Sequence, residues 1–237
     1  MAGAYQDTVI SMDQPLREPK KDAVESVTFV PEMFEGAFPG ASKEQKKEQA
    51  KYLTYMVNVR NVPVNHAVGI LANIYRESGF DPSLTSKRES SYGLLQWNDS
   101  DDGEWNRGTR MKDFVNKGRG KDADGKEPWE TDWRGQLDYA IQEVEEGSNK
   151  RFHDMYLGDD SITDAYTASD WLVNRNIRPG GVDKEGKPDE ARRMELKLRR
   201  DYIDRFMSSA KGYSARESKN AIFKLYNPLA GGRNMAY

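Results

Sequence analysis

Apolar residues recur at helical spacing between residues 66 and 78 of the chain. One apolar face and a second face beside it run along this segment: Val68, Leu71, Ala72 and Tyr75, then Ala67, Ile70 and Ile74. A helix that is apolar over most of its circumference is normally buried. Gly79 suits a left-handed cap and Pro82 prevents continuation, so we expect the helix to end near Ser78.

Glu77 lies in the last turn of this predicted helix. A carboxylate at the negative end of a helix dipole, with apolar side chains around it, is disfavoured in its charged form. We therefore expect a raised pKa for Glu77. A carboxyl that stays protonated near neutral pH can act as a general acid, although a solvated helix-end glutamate is the simpler interpretation of this helix taken alone.

Further apolar patterns predict a mainly α-helical chain. Ser42 suits the N-cap of a helix that ends near Asn61, and Thr131 or Asp132 suits the cap of another. The remaining predicted helices cover about 164–174 and 188–211, where five basic residues are expected to form a solvated face: Arg192, Arg193, Lys197, Arg199 and Arg200. The stretch between Glu77 and Gly93 is short, polar and turn-prone, and residues 92–97 suit a turn that enters a buried helix.

Composition excludes several classes of protein. The 237 residues include no cysteine and two histidines, which excludes disulfides, thiol catalysis and cysteine zinc sites and disfavours a multi-histidine metal centre. A net charge of −3 argues against a polycationic nucleic-acid binder. No window is apolar enough for a membrane span, and the first residues do not suggest a cleaved signal segment. The acidic stretches at 99–104 and 121–127 lack the ligand spacing of an EF-hand, so no metal and no cofactor is expected.

Residues 92–97 also carry groups suited to binding a ligand. Tyr92 and Trp97 offer aromatic faces for stacking, although Trp97 suits the core equally well. Gln96 can both donate and accept hydrogen bonds, and Gly93 permits close approach of the backbone to a ligand.

Four segments together resemble the phage tail lysozyme family, which lies within the lysozyme-like superfamily of goose-type lysozymes and lytic transglycosylases. They are ANIYRESGFDP at 72–82, YGLLQWN at 92–98, QLDYAIQEVEE at 136–146 and AYTASDWLVNRNIRPGG at 165–181, followed by the Arg-rich helix from 189. The resemblance covers roughly residues 45–207. It implies an α+β lysozyme-like fold: a helical domain with a small β-excursion that lines the substrate cleft.

The resemblance implies that Glu77 is the catalytic acid. The second carboxylate is less clear, because Asn98 stands where goose-type lysozymes have an aspartate. Glu89, in the β-excursion, and Asp99, one residue late, are the candidate bases of a hydrolase. Alternatively, Glu77 acts first as acid and then as base, which would give the 1,6-anhydro product of a transglycosylase. Asn98 joins Tyr92, Gly93, Gln96 and Trp97 as a predicted substrate-binding residue.

The chain is thus predicted to have three parts: an N-terminal extension (1–42), a peptidoglycan-cleaving domain (43–210) and a C-terminal tail (211–237). The expected function is that of a virion-associated muramidase that cleaves the MurNAc-GlcNAc β-1,4 bond during infection. Both extensions would contact other virion proteins, with the tail as a candidate attachment segment. The alternatives are a lytic transglycosylase, a free endolysin, and a structural virion protein with an inactive lysozyme-like scaffold.

Overall fold

The computed structural model describes residues 28–88, 90–99, 106–146, 164–173 and 190–217. Side chains are described only as far as residue 143 in the third range and residue 212 in the fifth. The described residues do not include Glu89, residues 1–27 or residues 218–237. The predictions made for these positions therefore stay predictions. The described part is mostly helical with one small antiparallel sheet, so the fold is mainly α with a minor β component, as predicted.

Helix α2 (Val64–Ser78) is the centre of the domain. It is buried from His66 through Ile74, as its two apolar faces predict. Gly79 ends it in the left-handed region with φ 58°, and its N–H donates to the carbonyl of Tyr75 at 3.1 Å. The predicted helix and its glycine cap are confirmed.

Helix α6 (Ala165–Leu172) packs closely against α2. Asp164 caps its N-terminus by accepting a hydrogen bond from the backbone N–H of Thr167 at 2.8 Å. Gly69 of α2 faces it so closely that an added Cβ would lie 2.8 Å from both the Cβ of Ala168 and the backbone nitrogen of Ser169. A glycine is therefore required at this helix crossing.

Helix α1 (Lys43–Thr54) begins with the predicted N-cap Ser42, which forms a capping box with Gln45. A π-helical turn, Tyr55–Val59, continues it. Before α1, a 3₁₀ helix (Pro31–Phe34) packs against α1 and the last helix, and the rings of Phe34 and Phe206 lie 4.8 Å apart. This packing joins the described part of the N-terminal extension to the helical core.

The sheet follows α2 and contains β1 (Thr85–Ser86), β2 (Ser91–Tyr92) and β3 (Trp97–Asn98) in the order β1-β2-β3. Tyr92 pairs with Thr85 on one side and Trp97 on the other. The expected β-excursion is thus present, but the expected entry into a buried helix at 92–97 is wrong. Gly93 and Gln96 both have positive φ, 74° and 47°, and the turn they bound returns the chain as a hairpin instead.

The next three helices are α3 (Arg107–Asn116), α4 (Pro128–Thr131) and α5 (Trp133–Glu146). The sequence predicts α5 and its cap, and Asp132 accepts from the N–H of Gly135 at 3.0 Å. Helix α3 was not predicted.

The final helix, α7 (Glu190–Glu217), extends six residues past its predicted end. The expected solvated basic face is wrong for two of its five members. Arg192 is 8% exposed and Arg199 is fully buried, whereas Met194 of the predicted apolar stripe is 52% exposed. The cause is helical phase: Arg192 and Arg199 share the inward face with Tyr202 and Phe206.

Candidate active site

Glu77 projects from the last turn of α2 into a mostly buried position, with 18% of its side chain exposed. Its Oε1 accepts a short hydrogen bond from Nη2 of Arg199 on α7. Burial raises the pKa of the Glu77 carboxyl above its ordinary value, even though the Arg199 guanidinium opposes that shift. The predicted direction of the shift is confirmed, and desolvation is its main cause.

Arg199 is held on three sides. Its Nε donates to Oδ1 of Asn73 at 2.8 Å, and its Nη1 donates to the carbonyl and to Oε2 of Glu195, at 3.0 and 2.8 Å. The amide of Asn73 is itself anchored to the carbonyl of Gly69 at 2.8 Å. Helices α2 and α7 together therefore fix the plane of the guanidinium that contacts Glu77.

Glu195 also binds the arginine that precedes Glu77. Nε and Nη2 of Arg76 donate to its two carboxylate oxygens at 2.7 and 2.6 Å, a bidentate pair. Burial opposes ionisation of Glu195, but hydrogen bonds from Arg76 and Arg199 outweigh it and hold the pKa of Glu195 below its ordinary value. The negative charge on Glu195 in turn raises the pKa of Glu77.

Arg107, at the start of α3, is a further cation near the acid. Burial alone would lower its pKa, but Glu143 holds the pKa of Arg107 above its ordinary value, and Glu77 contributes to the same effect. Nε and Nη2 of Arg107 bind the carboxylate of Glu143 at 2.6 and 2.7 Å. Glu77 therefore lies within electrostatic reach of both α7 and the N-terminus of α3.

Asp99, one of the two candidate bases, is engaged by helix α3. Its Oδ1 accepts from the backbone N–H of Thr109 at 2.8 Å and its Oδ2 from the hydroxyl of the same residue at 2.9 Å. Asp99 thus caps α3 from outside the helix. Both of its oxygens have a structural role.

Trp97 belongs to the core. Its side chain is fully buried, its ring meets that of Tyr139 edge-on at 5.5 Å, and its Nε1 donates to Oε2 of Glu143 at 3.1 Å. No face of the indole is open for stacking on a sugar in this conformation. Trp97 instead joins β3 to the Arg107–Glu143 pair beside Glu77.

Tyr92 is half-buried, and Nζ of Lys112 lies 3.2 Å from its ring centroid. The ring also meets that of Trp129 edge-on at 5.8 Å. A sugar that stacked on the face occupied by Lys112 would have to displace this flexible cation.

Gly93 has the close backbone approach that its sequence predicts, but the approaching group is a side chain of the protein. A Cβ at position 93 would collide with the amide of Gln136, whose Oε1 accepts from the N–H of Leu94 at 2.7 Å. The amide nitrogen of Gln96 donates to the carbonyls of Gly93 and Leu84 at 2.9 and 3.2 Å. Asn98 is exposed on β3.

The sequence model of the phage tail lysozyme family matches residues 22–188, which is most of the chain. The chain belongs to the phage tail lysozyme family. It is accordingly a phage lysozyme-like protein of a kind that acts on peptidoglycan. No curated protein and no solved structure matches it.

Sequence reasoning missed the charged groups that surround Glu77. Arg199 and Glu195 lie beyond the segment that matches the phage tail lysozyme family. The sequence pattern places Arg199 on the solvated face of its helix, whereas its side chain is fully buried. One signal could have identified it: Arg199 lies three and four residues before Tyr202 and Ile203, the most deeply buried apolar residues of α7.

Within the described ranges, no three His, Asp or Glu side chains are grouped to hold a metal ion. Among the same residues, no helix combines the length and apolar character needed to cross a membrane.

Proposed function

We propose that the protein is a virion-associated muramidase that cleaves the MurNAc-GlcNAc β-1,4 bond of peptidoglycan, with Glu77 as general acid. One observation carries the proposal. The end of the buried helix α2 presents a mostly buried carboxyl whose pKa is raised, in a member of the phage tail lysozyme family. A carboxyl that keeps its proton near neutral pH is what protonation of a glycosidic oxygen requires.

The orientation of the carboxyl supports this role. Arg199 occupies Oε1 of Glu77, so we assign the transferred proton to Oε2. When that proton moves to the leaving oxygen, Glu77 becomes anionic beside Arg199, which stabilises the charge that develops. The same arginine can thus assist the transition state while burial favours the protonated form of the resting acid.

We propose Glu89 as the second carboxylate, the base that would activate the attacking water. Asp99 is the weaker candidate, because Thr109 binds both of its oxygens. Because both oxygens of Asp99 are bound by Thr109, a second function is also favoured. It is that of a lytic transglycosylase, in which Glu77 alone serves as acid and then as base.

For the glycan, we propose contacts with Tyr92, Gln96 and Asn98, which lie on the hairpin formed by β2 and β3. Asn98 is exposed and Tyr92 is half-buried, so both can reach a ligand. Gly93 and the buried Trp97 would act indirectly, by fixing the shape of that hairpin.

The product ends distinguish the two reactions. Purified protein would be incubated with peptidoglycan and the soluble glycans analysed by mass spectrometry, beside Glu77→Gln. Reducing ends that are absent from the variant would support the muramidase, and 1,6-anhydro ends would support the transglycosylase. If no product forms from several wall types, an inactive structural scaffold is the better assignment.

The virion location is a separate proposal, in which residues 1–42 and 211–237 contact other particle proteins. The apolar residues of the C-terminal segment support it. In the N-terminal segment, Phe29, Met33 and Phe34 are buried against the domain's own core, so the proposal there concerns the residues before them. Mass spectrometry of purified particles should detect the protein, whereas its absence there would favour a free endolysin.

A further inference from the structure

We propose that Arg199 and Glu195 of α7 are positioning residues of the active site: Arg199 orients the Glu77 carboxyl, and Glu195 fixes Arg199. The inference rests on the proposed function for its catalytic meaning, while the geometry itself can be tested without activity. Both residues follow position 188, where the match to the phage tail lysozyme family ends. The active site thus includes a helix that lies outside the matched segment.

Arg199 is suited to orienting another group because its own freedom is nearly gone. The guanidinium is fully buried and planar, and separate hydrogen bonds engage its Nε, Nη1 and Nη2. Arginine keeps its charge at all relevant pH values, so the contact with Oε1 of Glu77 persists whether that group is protonated or ionised. A lysine could supply the charge but not this three-way geometry.

Glu195 has a second effect, which is electrostatic. The charged groups around Glu77 are Arg199 and Glu195 from α7, Arg76 from its own helix, and Arg107 from α3, which is paired with Glu143. Without the Glu195 carboxylate, Arg76 and Arg199 would face Glu77 as two uncompensated cations. They would favour its ionised form and impair it as an acid. Glu195 thus offsets part of the effect of Arg199 on the ionisation of Glu77, so that Arg199 can orient the acid and favours its charged form less.

The decisive variant is Glu195→Gln, which keeps the size of the side chain and removes its charge. The ionisation midpoint of Glu77 would be measured by ¹³C NMR of carboxyl-labelled protein, with Glu77→Gln used to assign the resonance. We expect the midpoint to fall, because the variant removes a like charge that opposes the ionisation of Glu77. The alkaline limb of the glycan-cleavage profile should move to lower pH with it.

The matched control is Asp170→Asn. It breaks the ion pair between Asp170 and Arg200, the next residue of α7, and should leave the midpoint of Glu77 unchanged. An unmoved midpoint in Glu195→Gln, or an equal shift in the control, would overturn the proposal. If the wild-type protein cleaves no glycan, the proposed function fails, but the NMR titration still decides whether Glu195 acts on Glu77.

A second variant, Arg199→Lys, tests orientation. With soluble glycan strands as substrate and folding checked by circular dichroism, we expect a loss of about tenfold or more in kcat with KM little changed. An unchanged or increased kcat would overturn the positioning role, since an increase would mean that Arg199 restrains the acid rather than orients it.

Discussion

Replacing Gln136 with leucine should destabilise the whole region that carries the hairpin. The fully buried amide accepts from the N–H of Leu94 at 2.7 Å and donates to the carbonyls of Pro82 and Trp129 at 2.8 and 2.5 Å. Leucine is nearly isosteric but offers no polar atom, so three backbone groups lose their partners: the buried N–H of Leu94, the buried carbonyl of Trp129 and the partly buried carbonyl of Pro82. At about 1 kcal/mol for each lost bond, the free energy of unfolding should fall by about 3 kcal/mol.

Denaturant unfolding measures this change, and hydrogen exchange locates it, since the amide of Leu94 should lose protection first. The control is Gln45→Leu, which removes a hydrogen bond from an exposed capping box and should cost about 0.5–1 kcal/mol. If Gln136→Leu cost no more than the control, or if the Leu94 amide stayed protected, the reasoning about this buried amide would be refuted.

Three further substitutions test other parts of the account. Gly69→Ala should cost about 1–3 kcal/mol by thermal unfolding, because the added methyl group collides with Ala168 across the helix crossing; unchanged stability would show that the helices separate freely. Gly93→Ala should cost a similar amount, about 1–3 kcal/mol, since φ is 74° there and the new Cβ meets Gln136; stability equal to wild type would contradict this. Glu77→Gln should gain stability relative to wild type as the pH rises from mild acid to neutral. Burial raises the pKa of folded Glu77, so its ionisation destabilises the fold as pH rises; a gain that shrank over this range would refute the sign of the shift.

The central helix and its acid could be predicted because the determinants are local. Two apolar faces, followed by Gly79 and Pro82, are enough to bury α2 and end it beside Glu77. Desolvation then follows from burial of the helix, and the direction of the pKa shift follows from desolvation.

Neither helix α3 nor the capping role of Asp99 could be predicted from the sequence, because their determinants are not local. The side chain of Asn106, the local N-cap, makes no capping hydrogen bond, and Asp99 caps the helix from ten positions before Thr109. A cap supplied by the tertiary fold leaves no spacing signal in the sequence. The function of Asp99 as a cap therefore becomes visible only in three dimensions.

The surroundings of Glu77 and Gly93 show the same limit. Arg199 reads as a surface residue because arginine is rarely buried, yet α2 supplies the Asn73 and Glu77 side chains that satisfy it there. Gly93 predicts a close approach of the backbone to a ligand, but the group that approaches it is the amide of Gln136, which lies more than forty residues away along the chain.

The most direct test of the central claim is the initial rate of glycan release by Glu77→Gln, measured beside wild type and Asp99→Asn on the same peptidoglycan. If Glu77 is the general acid, its isosteric amide should be slower by about 10²–10⁴-fold, the usual contribution of a positioned acid. Asp99→Asn should keep most of the activity at temperatures where it stays folded. A Glu77→Gln protein that releases glycan at the wild-type rate would contradict the account.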